Sequence, residues 1–329
     1  MAEKIVLGVD IGGTKVAAGL VNASGQILSS ARVPMNVHST ATVAMDCVHS
    51  AIQEVLHGSN GMVASAIGVS SPGPLDPMGG LVLRAPNLPC WRNFPLRSEI
   101  QRAYGVPTRI DNDANAAGLA EALWGAAKDC KYVLYVTIGT GIGTAILLER
   151  QIYYGRTGAA AEGGHMTIDY RGPIRCGCGK PGCIEGLASG PAIAAMTRQR
   201  VAGDPRRGAA ILALAGGDPS AISTKTVFTA WSKGDILATE ILHDVADMLA
   251  VWLGNLIDMF EPEVIVVGGG VGTSLAPLFD RMRERSQRWS VNPRAFEIPI
   301  RMPMYGVDAG LAGSAALWLN ESTVTGAVA

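Results

Sequence analysis

The sequence predicts an α/β fold made of two similar domains, and three observations lead to that prediction. The stretch "VLGVDIGGTKVAAGLV" (Val6–Val21) overlays "VLYVTIGTGIGTAILL" (Val133–Leu148) without a gap, and each copy reads as apolar strand, glycine-rich turn, apolar strand. A third apolar run, "VIVVGGGVG" (Val264–Gly272), is a strand followed by glycines. Helical patterns over Thr42–Val55 and Pro191–Arg200 lie between these strands. Because an internal repeat is one structural unit used twice, we expect two related halves.

Both glycine-rich turns have the composition of a phosphate-binding loop. Glycine adopts positive φ at little cost, so such a turn can point successive backbone N–H groups to one side, where they bind anions. A tight hairpin without a ligand explains a single copy equally well. Neither copy is a Walker A loop or a dinucleotide fingerprint, because each turn runs on into a strand. The presence of two copies favours a pair of phosphate-binding turns.

The remaining segments alternate between loops and helices. Loops are predicted at "SSPGPLD" and "APNLP", which are rich in proline and turn-forming residues. The most apolar later run, Ile236–Phe260, carries charged residues along its length, which favours a buried amphipathic helix over a membrane span. Glu321–Ala329 is expected to fray, and Val201–Ser223 gives no interpretable pattern. The polar residues within the apolar run are Glu240, His243, Asp244, Asp247 and Asp258.

Composition and charge narrow the class of function. The chain has 329 residues, of which 48% are hydrophobic and 17% charged, so it is long enough for two domains with sizeable cores. A net charge of −1 lacks the excess of lysine and arginine that binds nucleic acid, which favours a small-molecule partner. Glu3 and Asp10 flank only a short apolar run, which is not a signal peptide. We therefore expect a cytoplasmic protein with no membrane association.

The stretch "RCGCGKPGCIEG" places Cys176, Cys178 and Cys183 close together. Three cysteines leave an odd thiol in any disulfide scheme, cytosolic proteins rarely keep disulfides, and the C-x-x-C pair of a redox centre is absent. Three sulfur ligands and His165 would complete a tetrahedral Cys₃His site. The sequence therefore predicts structural zinc, in a closed site that stabilises rather than catalyses. The glycines expected to let the sulfurs converge are Gly177, Gly179 and Gly182.

Asp111, Asn112 and Asp113 in "RIDNDANAAG" follow an apolar segment and open a predicted helix. Aspartate and asparagine are common N-caps, so capping explains the cluster without any chemistry. The same position suits a general base, because phosphoryl transfer to a hydroxyl needs a carboxylate within hydrogen-bond reach of the attacking O–H. The residues alone leave both interpretations open.

Taken together, the motifs resemble those of the ROK family, which comprises sugar kinases and sugar-responsive repressors. The resemblance covers about Ile5 to about Trp318 and lies in the order of "DIGGTK", "DNDANAA", "TIGTGIG", "EGGH" and "CGCGKPGCIE". It implies the actin-like ATPase (ribonuclease H-like) fold, with two similar α/β domains around a cleft. The domains implied are residues 1–117 with about 307–329, and residues 118–306 with the structural zinc site.

The resemblance also implies a role for individual residues. Asp113 would be the catalytic base, Asp10 would hold Mg²⁺ through its water ligands, and Asp111 is assigned no catalytic role. Lys15 is either a further nucleotide contact or a solvated side chain. The implied nucleotide contacts are Asp10, Gly12, Gly13, Thr14, Lys15, Thr140, Gly141 and Gly269. The implied sugar contacts are Gly73, Asn87, Asn112, Asp113, Glu162, His165 and Glu185. The implied zinc ligands are His165, Cys176, Cys178 and Cys183.

The function implied is transfer of the γ-phosphate of ATP to the 6-hydroxyl of a hexose, with glucose expected. An N-acetylmannosamine or N-acetylglucosamine kinase is the alternative, since the sequence does not reveal the volume of the 2-position pocket. A sugar-sensing regulator is a different class. The repressors of the family carry an N-terminal helix-turn-helix domain, for which the first turn, beginning at Asp10, leaves no room. The family also implies a homodimer or homotetramer.

Overall fold

The chain divides into two compact units by its internal contacts. A computed structural model describes residues 4–59 and 61–320. Unit 1 comprises Met1–Tyr135, Ala145–Ala161 and Pro303–Ala329, and unit 2 comprises Val136–Thr144 and Glu162–Met302. The domain boundaries inferred from the sequence, at residue 117 and near residue 307, stay a prediction.

Strands and helices alternate along the chain as predicted. The strands are β1 (Ile5–Ile11), β2 (Lys15–Asn22), β3 (Ile27–Pro34), β4 (Ile67–Ser71), β5 (Leu75–Asp76), β6 (Leu81–Val82), β7 (Thr108–Asn112), β8 (Val133–Ile138), β9 (Ile142–Leu148), β10 (Gln151–Ile152), β11 (Val264–Gly268) and β12 (Ile300–Arg301). The helices are α1 (Ala41–His57), α2 (Leu96–Tyr104), α3 (Asp113–Leu123), α4 (Ile184–Ala188), α5 (Gly190–Gly203), α6 (Ala209–Leu214), α7 (Thr224–Ser232), α8 (Ile236–Phe260), α9 (Gly270–Ser274), α10 (Phe279–Ser286) and α11 (Ala309–Leu319).

Two five-stranded sheets have matching strand arrangements. The first has the order β3-β2-β1-β4-β7, with β1 antiparallel to β2 and parallel to β4. The second has the order β10-β9-β8-β11-β12. In both sheets the repeated hairpin supplies two adjacent strands and a later strand lies beside its first member, so the internal repeat and both hairpins are confirmed.

The first sheet is covered by helices on both faces. One face carries the side chains of Leu7, Val9 and Ile11, which belong to the same buried cluster as α1. The other face carries Val6, which packs with Leu311 of α11. Strands buried on both faces read as nearly continuous apolar runs, which explains why β1 and β2 show little alternation in sequence.

Helix α11 lies against β1 and β4 at very short distance because two strand residues are glycines. A Cβ atom at Gly68 would lie 1.7 Å from the Ser314 carbonyl oxygen, and one at Gly8 would lie 2.3 Å from that of Leu311. Any side chain at either position would force the helix outward. These two contacts hold α11 close to both strands.

Most of the sequence-based element predictions are confirmed. Helix α8 covers the predicted range, with Asp235 as N-cap and Glu261 in the left-handed region at its end. The "APNLP" loop is confirmed, whereas "SSPGPLD" is wrong at both ends, since Ser70 and Ser71 belong to β4 and Leu75 and Asp76 form β5. The segment without a prediction contains the end of α5 and all of α6.

Two sequence expectations concern the ends of the chain and the membrane. The expected fraying of residues 321–329 lies outside the described residues. Among residues 4–59 and 61–320, no helix combines the length and the apolar character needed to cross a membrane.

Candidate functional site

The first glycine-rich turn joins β1 to β2 in unit 1 and packs on the predicted sugar loop. The Gly12 N–H donates to the Lys15 carbonyl oxygen at 2.9 Å, which closes the turn. A Cβ atom at Gly13 would lie 3.0 Å from the Asn87 carbonyl oxygen. Neither Gly12 nor Gly13 has positive φ, so the conformational reason expected for these glycines is wrong. Close approach of the Asn87 backbone is the reason for Gly13.

Asp10 is held at the end of β1 by a chain of hydroxyl groups. Ser70 Oγ donates to Asp10 Oδ1 at 2.7 Å, and Ser314 Oγ lies 2.9 Å from Ser70 Oγ. Gly310 in the first turn of α11 lets the carboxylate lie against the helix, because a Cβ atom there would be 2.6 Å from both carboxylate oxygens. Burial raises the pKa of Asp10, and the Ser70 hydrogen bond and the Lys15 charge oppose that shift. A cation nearby would favour the ionised form further.

The "DND" cluster lies where β7 ends and α3 begins. Asn112 is the N-cap of α3, and its Oδ1 accepts from the N–H groups of Ala114 at 2.9 Å and Asn115 at 3.3 Å. The capping interpretation is therefore correct for Asn112, whereas Asp113 is the first helical residue. Since the cap occupies Asn112 Oδ1, Nδ2 is the group through which Asn112 donates. Gly73 lies beside that amide, with its Cβ position 3.4 Å from Nδ2.

Asp111, which was assigned no catalytic role from the sequence, is a buried carboxylate. Its side chain accepts from Tyr154 Oη at 2.5 Å, Asn115 Nδ2 at 2.9 Å and its neighbour Asn112 N at 2.7 Å. Burial raises the pKa of Asp111 to about 6, and the hydrogen bonds from Tyr154, Asn115 and Asn112 oppose that shift. Tyr154 lies 43 residues along the chain. No local pattern could have paired the two.

The second glycine-rich turn, between β8 and β9 in unit 2, lies against Glu185. The Gly139 N–H donates to the Gly141 carbonyl oxygen at 2.9 Å. Glu185 Oε2 accepts from the Ile142 N–H at 3.0 Å, and a Cβ atom at Gly141 would lie 2.6 Å from the same oxygen. A predicted nucleotide contact and a predicted sugar contact thus come together within this unit.

The "EGGH" motif is fixed by two residues that the sequence did not reveal. The Gly163 N–H donates to Thr144 Oγ1 at 3.0 Å, and its carbonyl oxygen accepts from the buried Trp252 Nε1 at 2.9 Å. Gly164 lies against β9, because a Cβ atom there would be 1.8 Å from the Ile142 carbonyl oxygen. These contacts hold His165 near the cysteines and leave Glu162 exposed.

The predicted zinc ligands converge in unit 2. Their ligand atoms all lie within 4.8 Å of one another, with Cys178 Sγ 3.7 Å from Cys183 Sγ and His165 Nδ1 3.6 Å from Cys176 Sγ. A tetrahedron with ordinary Zn–S and Zn–N bond lengths has edges of about 3.5 to 3.8 Å. The donor set and spacing therefore fit zinc, and Nδ1 is the histidine nitrogen that faces the cysteines.

The loop geometry around the cysteines depends on two of the three intervening glycines. Gly179 has a φ of 93° and Gly182 a φ of 65°, and a Cβ atom at Gly182 would lie 1.8 Å from the Asp169 carbonyl oxygen. Gly177 has neither positive φ nor a close neighbour, so the expectation that it is needed for convergence is wrong.

The other predicted nucleotide contacts lie on or beside the turns. Thr14, Lys15 and Thr140 are exposed. Gly269, at the end of β11, has a φ of 79°, and its Cβ position is 2.4 Å from the Ile138 carbonyl oxygen. Packing on β8 is therefore sufficient to explain this glycine.

Comparison with known proteins identifies close similarities over nearly the whole chain. The model of the ROK family matches residues 6–321. A glucokinase of Streptomyces coelicolor is 34% identical over 95% of this chain and 97% of its own. An N-acetylmannosamine kinase of Escherichia coli O7:K1 is 31% identical over 96% of this chain and 98% of its own.

A solved structure extends the similarity to the fold. The structure of a ROK family glucokinase from Streptomyces griseus in complex with glucose and AMPPNP has a TM-score of 0.82 and 34% identity, and the match covers 95% of this chain and 98% of that one. The predicted α/β, actin-like fold is confirmed.

Proposed function

The chain belongs to the ROK family, and on this premise we propose that it is an ATP-dependent sugar kinase that phosphorylates the 6-hydroxyl of a hexose. One observation carries the proposal: in each unit, a glycine-rich turn lies against a residue predicted to bind sugar. Gly13 packs on Asn87 in unit 1, and Gly141 packs on Glu185 in unit 2. A phosphoryl-transfer site needs this adjacency, because the γ-phosphate and the accepting hydroxyl must be within reaction distance.

Asp113 is the proposed general base. Its carboxylate sits on the first residue of α3, directly after the N-cap Asn112. The 6-hydroxyl gives its proton to this carboxylate while its oxygen attacks the γ-phosphorus, and the bond from that phosphorus to the bridging oxygen of ADP breaks. Asn112 Nδ2 donates to a neighbouring sugar hydroxyl, and Gly73 leaves room beside that amide.

The proposed nucleotide contacts are Gly12, Gly13 and Thr14 on the turn of unit 1, and Thr140 and Gly141 on the turn of unit 2. Mg²⁺ neutralises phosphate charge and keeps several water ligands when it is bound with ATP. Asp10 would hold those waters through its carboxylate, of which Oδ1 accepts from Ser70 Oγ at 2.7 Å. Lys15 and Gly269 complete the proposed set of nucleotide contacts.

The zinc cluster is proposed to hold the neighbouring sugar-binding side chains in position before the sugar binds. Glu185 connects the cluster to the second turn, since its Oε1 lies 3.8 Å from His165 Nδ1 and its Oε2 accepts from the Ile142 N–H at 3.0 Å. Zinc bound by the cysteines and His165 Nδ1 would lock the loop that carries Glu185 and leave His165 Nε2 to contact the sugar. Glu162 supplies a further hydroxyl contact.

Glucose is the proposed acceptor, because the Streptomyces coelicolor glucokinase is the more similar of the two curated relatives described above. The test is a coupled ADP-release assay with ATP and Mg²⁺ across glucose, mannose, fructose, N-acetylglucosamine and N-acetylmannosamine. We expect kcat/KM for glucose to exceed that for each other sugar by at least about tenfold, which corresponds to about 1.4 kcal/mol of discrimination.

The 31% identity to an N-acetylmannosamine kinase gives the second candidate its support. Turnover confined to an N-acetyl sugar would assign that activity and keep the roles of the residues. Sugar binding without turnover would indicate a sugar-sensing regulator. The cytoplasmic location, the absence of nucleic-acid and membrane association and the homodimeric or homotetrameric state stay predictions.

A further inference from the structure

Asp111 is a buried, hydrogen-bonded carboxylate at the junction that carries the proposed base. It is only 1% exposed, and its oxygens accept from three different groups. Burying an ionised carboxylate is unfavourable unless donors replace the lost water, so an arrangement of this kind needs a compensating reason. The proposed function gives Asp111 no contact with ATP or sugar.

We infer that Asp111 and Tyr154 form a positioning pair for the proposed base, in which the Asp111 carboxylate fixes the first turn of α3 and the Tyr154 hydroxyl fixes the carboxylate. The inference rests on the proposed kinase function. It makes Asp111 and Tyr154 positioning residues that act through Asp113.

Asp111 Oδ1 accepts from a backbone N–H just before Asp113 and from a side-chain amide just after it. The Asn112 N–H donates to Oδ1 at 2.7 Å, and Asn115 Nδ2 donates to the same atom at 2.9 Å. Asn112 is the N-cap and Asn115 lies in the first turn of the helix that begins with Asp113. A shift of this junction would break both bonds. Catalytic groups need positions accurate to about half an ångström, so these two hydrogen bonds are expected to affect turnover.

The other carboxylate oxygen of Asp111, Oδ2, accepts a hydrogen bond from Tyr154. Its hydroxyl donates to Asp111 Oδ2 at 2.5 Å from the segment that follows β10. Burial and the adjacent Asp111 charge raise the pKa of Tyr154, so the hydroxyl stays protonated and remains a donor. Because this hydrogen bond favours the charged form of the carboxylate, its removal should raise the pKa of Asp111.

The charged surroundings of Asp111 are defined by the elements that pack on β7. On the strand itself, Arg109 donates to the Leu317 carbonyl oxygen at 2.6 Å and lies 4.0 Å from the centre of the Trp318 ring. Its charge acts on Tyr154 and lowers the pKa of that hydroxyl. In β4 the register partner of Asp111 is the uncharged Ser70. The charged residues of the other packed elements are Asp113 and Glu121 on α3, Arg97, Glu99 and Arg102 on α2 and Asp76 on β5, while α11 has none.

The pair should give turnover a characteristic pH dependence. Protonation of Asp111 places a hydrogen on one carboxylate oxygen. The groups that donate to that oxygen lose their acceptor, so the first turn of α3 is held less firmly. The active fraction therefore falls as pH is lowered through the pKa of Asp111, which is about 6. A change that raises this pKa moves the acid limb of kcat to higher pH.

The test compares kcat and sugar KM of wild type and Tyr154→Phe across pH. If loss of the hydroxyl raises the pKa of Asp111 by about one unit, kcat should fall about fivefold near pH 6 and less than twofold near pH 8. Sugar KM should stay within about twofold, since no substrate contact is removed. The matched control is Tyr132→Phe, which removes an exposed tyrosine–carboxylate hydrogen bond to Glu149 and should leave the acid limb in place.

Loss of kcat by the same factor at every pH, or no loss at all, would overturn the pairing and leave Tyr154 with a packing role. If Tyr154→Phe does not fold, Asp111→Asn serves instead, and its kcat should be low at all pH with a flattened acid limb. The Asn112 amide, followed by NMR during a pH titration, tests the pair without turnover. Its midpoint should lie near 6 in wild type and move up in Tyr154→Phe.

A wild type that phosphorylates no sugar would contradict the proposed function. The pairing would then be decided by the NMR titration alone, where an unmoved midpoint would contradict it. An active wild type whose acid limb is unchanged by Tyr154→Phe would contradict only the pairing.

Discussion

Replacing Asp113 with asparagine is expected to lower kcat by about 10²- to 10⁴-fold, the range in which a positioned general base contributes to catalysis. The substitution removes the proton acceptor and keeps the shape of the side chain. Asp113 Oδ1 accepts from the Ala114 N–H at 2.9 Å, and an asparagine oxygen can accept in its place. The fold should therefore survive, with a change in Tm of no more than about 2 °C.

The measurement is the steady-state rate of ADP release at saturating ATP and sugar, together with thermal unfolding followed by circular dichroism. Asp46→Asn is the matched control, because Asp46 is an exposed carboxylate on α1 in the same unit. It should retain wild-type kcat. Near-normal turnover of Asp113→Asn would show that another group accepts the proton.

Replacing Cys178 with serine is expected to remove most of the bound zinc and to lower Tm by roughly 10 °C. Cys178 Sγ is 3.7 Å from Cys183 Sγ, so the change deletes one corner of the proposed tetrahedron. A hydroxyl is a poor substitute for a thiolate on zinc. Since the cluster lies beside Glu185, sugar KM should rise in the same variant.

Zinc content is measured by elemental analysis of the purified protein, with one ion per chain expected for wild type. Cys47→Ser provides the matched control, because Cys47 is a half-buried cysteine that packs on the core of unit 1 and is absent from the cluster. It should keep the wild-type zinc content. Full zinc occupancy and unchanged Tm in Cys178→Ser would contradict the structural zinc site.

Several features were predictable because their signals are local. The two hairpins are short, apolar and separated by glycines, and α8 is bounded by a capping aspartate and a residue in the left-handed region. The cysteine cluster was equally predictable, since three of its four potential ligands fall within eight residues. Each of these signals depends on neighbours in sequence, so tertiary contacts were not needed to recognise it.

Other features depend on contacts between distant segments, and no local signal reports them. Trp252 fixes Gly163 from 89 residues away. Glu121 is fully buried, and its carboxylate accepts from the N–H groups of Ala126, Met304 and Tyr305. In sequence it is an ordinary glutamate on a helix. Its function as an acceptor for the backbone of the segment that re-enters unit 1 is visible only after folding.

The glycines show how a correct motif can be explained by the wrong physical reason. The sequence pointed to positive φ at Gly12 and Gly13, whereas close packing on the Asn87 backbone accounts for Gly13. A glycine in the sequence indicates that no side chain is tolerated at that position. It does not show whether the reason is a positive φ or the close approach of another part of the chain. That distinction requires the position of the opposing backbone.

The most direct test of the central claim is the identity of the product. Wild-type protein is incubated with ATP, Mg²⁺ and glucose, and the mixture is resolved by ³¹P NMR with quantification of ADP. We expect glucose phosphorylated at the 6-hydroxyl and ADP in equal amounts. ADP with free phosphate and unchanged sugar, or the absence of ADP with every sugar of the panel, would contradict the assignment of this chain as a sugar kinase.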